Sequence, residues 1–159
     1  NLYGIGASLI GLAIILAIAE KTAKHTRGME EITFRDAIII GLSQAVALIP
    51  GSSRSGTTLT GGLFCGLRRE TAARFSFLLS IPAIFASGML ELIKTLESPA
   101  GFDMLHVSIA TVMAGISGWF AIDFLLKFLK KNSTFLFIYY RIAVGTAILL
   151  LLSQGIITP

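Results

Sequence analysis

The chain has 159 residues, 54% of them hydrophobic and only 14% charged, with a formal net charge of +4. The apolar residues come in long blocks, not as the single stripe of a half-buried helix, which excludes an ordinary soluble domain and makes this an integral membrane protein. Its basic residues lie in short loops between those blocks and no basic face is interleaved with aromatics, so orientation in the bilayer explains the charge and a nucleic-acid partner is excluded.

Leu2 to Ala19 is nearly uncharged and long enough to cross the hydrocarbon. It lacks the basic flank and small-residue cleavage site of a signal peptide and is expected to be the first transmembrane helix. The sequence opens at Asn1 without an initiator Met and is read as a piece of a longer protein. Glu20 to Arg35 is a charged loop ending in Thr33-Phe34-Arg35-Asp36, where Thr33 caps a helix and Asp36 completes a capping box. The helix predicted from Phe34 reaches only to Ile49, roughly 24 Å against a hydrocarbon core of about 30 Å.

The next ten residues, Ile49-Pro50-Gly51-Ser52-Ser53-Arg54-Ser55-Gly56-Thr57-Thr58, put a fixed cation and a cluster of hydroxyls inside membrane-grade sequence. Pro50 breaks the helix, and Gly51 and Gly56 let the backbone turn and approach a ligand. A helix is predicted to resume near Thr57 or Thr58, run through Leu59 to Cys65 and stop at Gly66. Neither arm can span alone. Two short apolar arms around a Gly/Pro break predict a re-entrant hairpin over about 34–67, with a phosphate-binding loop at 50–58.

Arg74 to Thr95 is the next expected span, with Pro82 as a kink, and Ser98-Pro99-Ala100-Gly101 is a turn. His106 to Leu126 crosses back, Lys127 to Asn132 is a basic loop, and Thr134 to Leu152 is the last span. The expected fold is therefore all-α: a single transmembrane domain over 1–159 with four transmembrane helices and one re-entrant helical hairpin. With the hairpin entering and leaving by one face, Lys21, Lys24, Arg27, Arg35, Arg68, Arg69, Arg74, Lys127, Lys130 and Lys131 collect on one side and only Lys94 on the other. The positive-inside rule makes the basic side cytoplasmic. A hairpin that crossed the bilayer would weaken that asymmetry.

An arginine inside the membrane is a functional-site hypothesis by default. Arg54 is a candidate phosphate ligand, since guanidinium holds two phosphate oxygens in a fork and keeps its charge. The bland alternative is neutralisation of a buried carboxylate or of orphan carbonyls. Ser53, Ser55 and Thr58 are the companion candidates for catalysis, and Gly51, Ser52, Gly56, Thr57 and Gln44 for substrate binding. Any one of these hydroxyls has a backbone-satisfying reading, and Gln44 serves equally well as helix glue. Asp123 and Arg141 are read as a structural ion pair or as snorkelling side chains, and His25 and His106 as membrane-edge residues rather than metal ligands. No Asp or Glu lies between Asp36 and Glu70. The hairpin thus has a cradle for an oxyanion but no general base or metal ligand beside it.

Gly41-Leu42-Ser43-Gln44-Ala45, Pro50 to Thr58, Phe75-Ser76-Phe77-Leu78-Leu79-Ser80-Ile81-Pro82 and Phe137-Ile138-Tyr139-Tyr140-Arg141 together resemble the second half of the bacterial undecaprenyl-diphosphatases, the bacitracin-resistance membrane phosphatases. The resemblance implies a multi-pass enzyme of the bacterial inner membrane that removes the terminal phosphate from undecaprenyl diphosphate and so recycles the lipid carrier for cell-wall synthesis. It implies two inverted repeats, Arg54 binding the diphosphate, and Ser53, Ser55 and Thr58 as hydrogen-bond donors or, for a serine, as nucleophile. A divalent metal, Mg²⁺ or Ca²⁺, is expected in the complete enzyme with its ligands in the N-terminal half, and a polyprenyl diphosphate, that missing half and a second copy in a homodimer are the partners it admits. The family's glutamate-rich first half is absent from this chain, so the chain alone is expected to be inactive. The rival reading is the anion-binding half of a transporter or channel with a broken helix, and a weaker one is a purely structural subunit.

Overall fold

The computed structural model describes residues 2–97 and 104–157. Six helices follow one another: α1 Leu2–Thr22, α2 Phe34–Ala45, α3 Arg54–Phe64, α4 Arg69–Glu97, α5 Met104–Lys131 and α6 Phe135–Ser153. Of these, α1, α4, α5 and α6 are long and apolar enough to cross a membrane, whereas α2 and α3 are not. The protein is an all-α polytopic membrane protein. The turn expected at Ser98 to Gly101 lies outside the described residues.

The predicted capping box is formed. Thr33 accepts from the Asp36 N–H while Asp36 accepts from the Thr33 N–H at 2.8 Å, which starts α2 at Phe34. A 3-10 turn at Val46–Leu48 then leads into the break at Pro50. The second arm starts earlier than the sequence suggests, at Arg54 instead of Thr57 or Thr58, because Ser53 caps it by accepting from the Gly56 N–H at 3.3 Å. Likewise α4 begins at Arg69, five residues before the expected start, and runs as one continuous helix through Pro82.

The termini of α2 and α3 that lie away from the tip meet at one end of the bundle. There the N–H of Arg68 donates to the Arg27 carbonyl at 2.9 Å, and the Arg27 guanidinium donates to Asp36 at 2.6 Å and to the Cys65 carbonyl at 2.8 Å. Glu20 at the end of α1 accepts from Arg69 Nε at 2.6 Å and from the Thr134 hydroxyl at 2.9 Å, which ties α1, α4 and the start of α6 together. Arg27, Arg68 and Arg69, three of the basic residues expected on one side, meet at this end. Immediately inside it sits the apolar core, including Leu16, Ile40, Leu63, Leu67, Leu129 and Ile138. Most of α5 and the far half of α4 are uncovered, with Trp119, Phe120 and Phe85 among the exposed side chains. Hydrocarbon is the natural solvent for such a surface, so its exposure carries none of the penalty it would in water.

Candidate functional site

The turn between α2 and α3 is pinned to α1. Ser8 donates its hydroxyl to the Pro50 carbonyl at 2.7 Å, and Gly51 adopts φ +87°, where an added Cβ would meet Ser8 and the Ile5 carbonyl. Only glycine turns there without strain. Ser52 donates to the carbonyls of Val46 and Ile49, closing the end of the first arm. Ser53 and Ser55 place their hydroxyl oxygens 3.2 Å apart at the first turn of α3. Apart from that of Gly56, which Ser53 caps, the N–H groups of that turn have no intrahelical acceptor, and the helix dipole favours negative charge there.

A cavity of about 450 Å³ opens beside this turn. Gly51, Ser52, Ser53, Ser55, Gly56, Ser76 and Arg141 are among its lining residues and give it a small polar share. The other walls are apolar, with Leu16, Leu59, Phe77, Leu125, Leu129 and Phe137 among them. The helical period sorts the remaining candidates away from it. Arg54, Thr58 and Gly62, four residues apart, form a stripe on α3 that faces α4: Arg54 Nη1 reaches the Ser80 carbonyl at 3.5 Å, the Thr58 and Ser76 hydroxyls are 2.5 Å apart, and Gly62 packs on Ala72. Thr57 turns to a smaller cavity of about 170 Å³ against α1 and α2. The hydroxyls of Thr57 and Thr58 also donate back to the Arg54 carbonyl, at 2.9 and 2.8 Å. Gln44 does not line the larger cavity, and its buried Oε1 accepts no hydrogen bond among the described residues. Five of the nine candidates therefore share one cavity, while Arg54, Thr57, Thr58 and Gln44 stand behind or beside it.

Arg141 is the residue that sequence reasoning read as structural. It is 8% exposed, lies nearly two turns into α6, and does not pair with Asp123, which instead accepts from Lys127 at 2.7 Å. Its Nη2 is buried without a hydrogen-bond partner among the described residues. The guanidinium lies against Gly56, so closely that an added Cβ would come within 2.6 Å of Nη1. The signal that finds it is the same one that singles out Arg54, a charge inside a transmembrane segment. A nearby Asp123 in the sequence disguised it as half of an ion pair.

The donor set does not make a metal site. Among the described residues no three His, Cys, Asp or Glu side chains converge. The cavity presents serine hydroxyls and a guanidinium, donors that suit an anion and repel a divalent cation. The carboxylates at the basic end are engaged: the Arg27 guanidinium, with Thr33 behind it, holds Asp36 well below the usual carboxylate range.

The family described as "Bacitracin resistance protein BacA" matches residues 1–147. The chain belongs to this family. Proteins named undecaprenyl-diphosphatase are its relatives: that of Chlorobaculum tepidum is 50% identical over 168 residues, covering 100% of this chain and 60% of the relative. Those of Chloroherpeton thalassium and Prosthecochloris aestuarii are 51% and 52% identical, each covering 98% of this chain and 58% of the relative. The chain thus spans about three fifths of the length of these curated relatives.

Proposed function

We propose that this chain supplies one half of the active site of a membrane phosphatase that hydrolyses undecaprenyl diphosphate to undecaprenyl phosphate and phosphate, recycling the lipid carrier of bacterial cell-wall synthesis. The observation that carries the reading is the pairing of an anion-seeking rim with apolar walls in one cavity, as a lipid bearing a phosphate head requires. The printed names of the relatives support it. In this reading α2 and α3 form a re-entrant hairpin of the plasma membrane, entered from a cytoplasmic basic end, and the added length of the relatives contributes a second, inverted repeat. Ser53, Ser55 and the open N–H groups of α3 donate to phosphate oxygens, and Arg54 reaches the diphosphate from the α4 side. Thr58 positions Arg54 by bonding its carbonyl.

The proton chemistry and any divalent metal, Mg²⁺ or Ca²⁺, are assigned to carboxylates outside this chain, because the cavity has none. Such a half-site binds without hydrolysing. The test is phosphate release from a polyprenyl diphosphate by this chain in detergent, alone and co-expressed with the remaining sequence that its relatives carry. Turnover only in the combined protein is expected. Turnover by the chain alone would overturn the division, and binding without turnover in the combined protein would favour the anion-transporting alternative.

A further inference from the structure

We infer that Arg141 and the apolar chamber beside it form the subsite for the phosphate that stays on the lipid, that is, a site for a single-chain polyprenyl monophosphate; this rests on and deepens the proposal above. Arg141 is more than nine-tenths buried and has no acceptor among the described residues, although a guanidinium carries five donors in a fixed fork. A buried charge left unpaired inside a membrane protein is costly and calls for an anionic partner. No carboxylate among the described residues lines its cavity, and in the reading above the anion that meets it is the lipid head. The open first turn of α3 faces the same space and independently favours an anion.

The walls decide which anion. From Ser53 to Leu59 the cavity follows α3 for roughly 9 Å, and from Arg141 it follows α6 back to Phe137, roughly 6 Å. Over that path its lining changes from hydroxyl and guanidinium to leucine and phenylalanine, ending at Leu125 and Leu129 of α5. Inorganic phosphate has no use for those walls, and a bare hydrocarbon has none for the guanidinium. A phosphate esterified directly to an apolar chain satisfies both. In a lipid diphosphate the ester-linked phosphate must lie at the polar–apolar boundary, and Arg141 is the cation at that boundary. The terminal phosphate then points towards the tip, to Ser52, Ser53 and Ser55. Arg141 accordingly holds substrate and lipid product alike.

The test uses the full-length protein in detergent and measures binding of geranylgeranyl monophosphate, inorganic phosphate and phosphatidic acid, together with hydrolysis of geranylgeranyl diphosphate. Arg141→Gln is expected to weaken geranylgeranyl monophosphate roughly 10- to 100-fold, the value of a lost charge-assisted contact, to raise KM more than it lowers kcat, and to relieve inhibition by the lipid product. Arg141→Lys should recover part of that loss. Leu125→Trp, at a half-buried wall position, fills the chamber without touching the charge; it should weaken the lipid monophosphate and leave inorganic phosphate unaffected, and it carries the test if Arg141→Gln does not fold. Wild-type affinity for the lipid monophosphate in folded Arg141→Gln would overturn the subsite. Equal Arg141-dependent binding of inorganic phosphate or phosphatidic acid would overturn its assignment to a single isoprenoid chain. Arg141-dependent binding of the monophosphate by a full-length protein that hydrolyses nothing would keep the subsite and remove the phosphatase reading; normal hydrolysis indifferent to Arg141 would do the reverse.

Discussion

At the basic end of the bundle every arginine that is drawn into the structure has found an acid: Arg27 rests on Asp36 and Arg69 on Glu20, each at 2.6 Å. Around the cavity the same side chain is treated in the opposite way. Arg141 has no hydrogen bond among the described residues, and Arg54 has a single long contact, 3.5 Å, to the Ser80 carbonyl. The two regions lie on the same helices, so the difference reflects a different task. Arginines that hold helices together have their donors used up, whereas those of Arg54 and Arg141 are largely unused among the described residues.

Keeping the charge but losing the fork should break the contrast most severely. Arg54→Lys in the full-length protein is expected to lower kcat roughly a hundred- to thousand-fold, about 2.7–4 kcal/mol, if the contact strengthens in the transition state as an oxyanion donor does. Turnover of a polyprenyl diphosphate by folded variant protein measures it. Near-normal kcat would make Arg54 a strut between α3 and α4, like the arginines of the basic end.

Glu20→Ala attacks the other region. It strips Arg69 and the buried Thr134 hydroxyl of their acceptor at once, and an orphaned buried donor costs about 1–3 kcal/mol. The expected result is a lower thermal midpoint with kcat unchanged at temperatures where the protein remains folded. A loss of kcat without a loss of stability would mean that the two regions are not separate in function. Arg141→Met sharpens the contrast from the cavity side. Methionine keeps most of the apolar stem and removes a charge that has no partner, so the unliganded variant should unfold at the same temperature as the wild type or up to a few degrees higher. A large destabilisation would reveal a structural partner for Arg141.

Much of the frame was legible because the bilayer imposes long blocks on its spans, and α1, α5 and α6 are such blocks. The capping box at Thr33 and Asp36 was legible for a different reason: its partners are three residues apart and need no tertiary contact. The start of α3 was misjudged because capping was left open for every hydroxyl of the loop and not assigned to Ser53, which is the helix cap. The site itself was legible only as a loop. Which of its residues face one cavity depends on how α3 is rotated against α4, and that is set by Gly62 on Ala72 and Thr58 on Ser76, pairs remote in sequence. Arg141 enters the site from a helix more than eighty residues further along the chain, a distance no motif bridges.

The smallest effect expected is one of pH, and it belongs to the basic end alone. Asp36 is held ionised by the Arg27 guanidinium and then by the Thr33 N–H and hydroxyl, so its folded pKa lies below the unfolded value of about 3.9. A depressed carboxylate contributes stability that is fully present above the unfolded pKa and is lost as pH falls through the folded one. Acidification should therefore loosen the clamp that holds the ends of α2 and α3 together, since the same Arg27 also grips the Cys65 carbonyl. Other carboxylates, Glu20 among them, titrate over the same range, so the informative quantity is the difference between wild type and Asp36→Asn. Thermal midpoints followed from about pH 6 to about pH 3 should begin to converge at the acid end, where the aspartate of the unfolded chain takes up its proton while the folded one still holds its charge. Neither Arg54 nor Arg141 is paired with a carboxylate among the described residues, and they should add nothing to that slope. Parallel curves for the two proteins would mean that the Asp36 charge does not hold the hairpin ends, and that capping by Thr33 alone suffices.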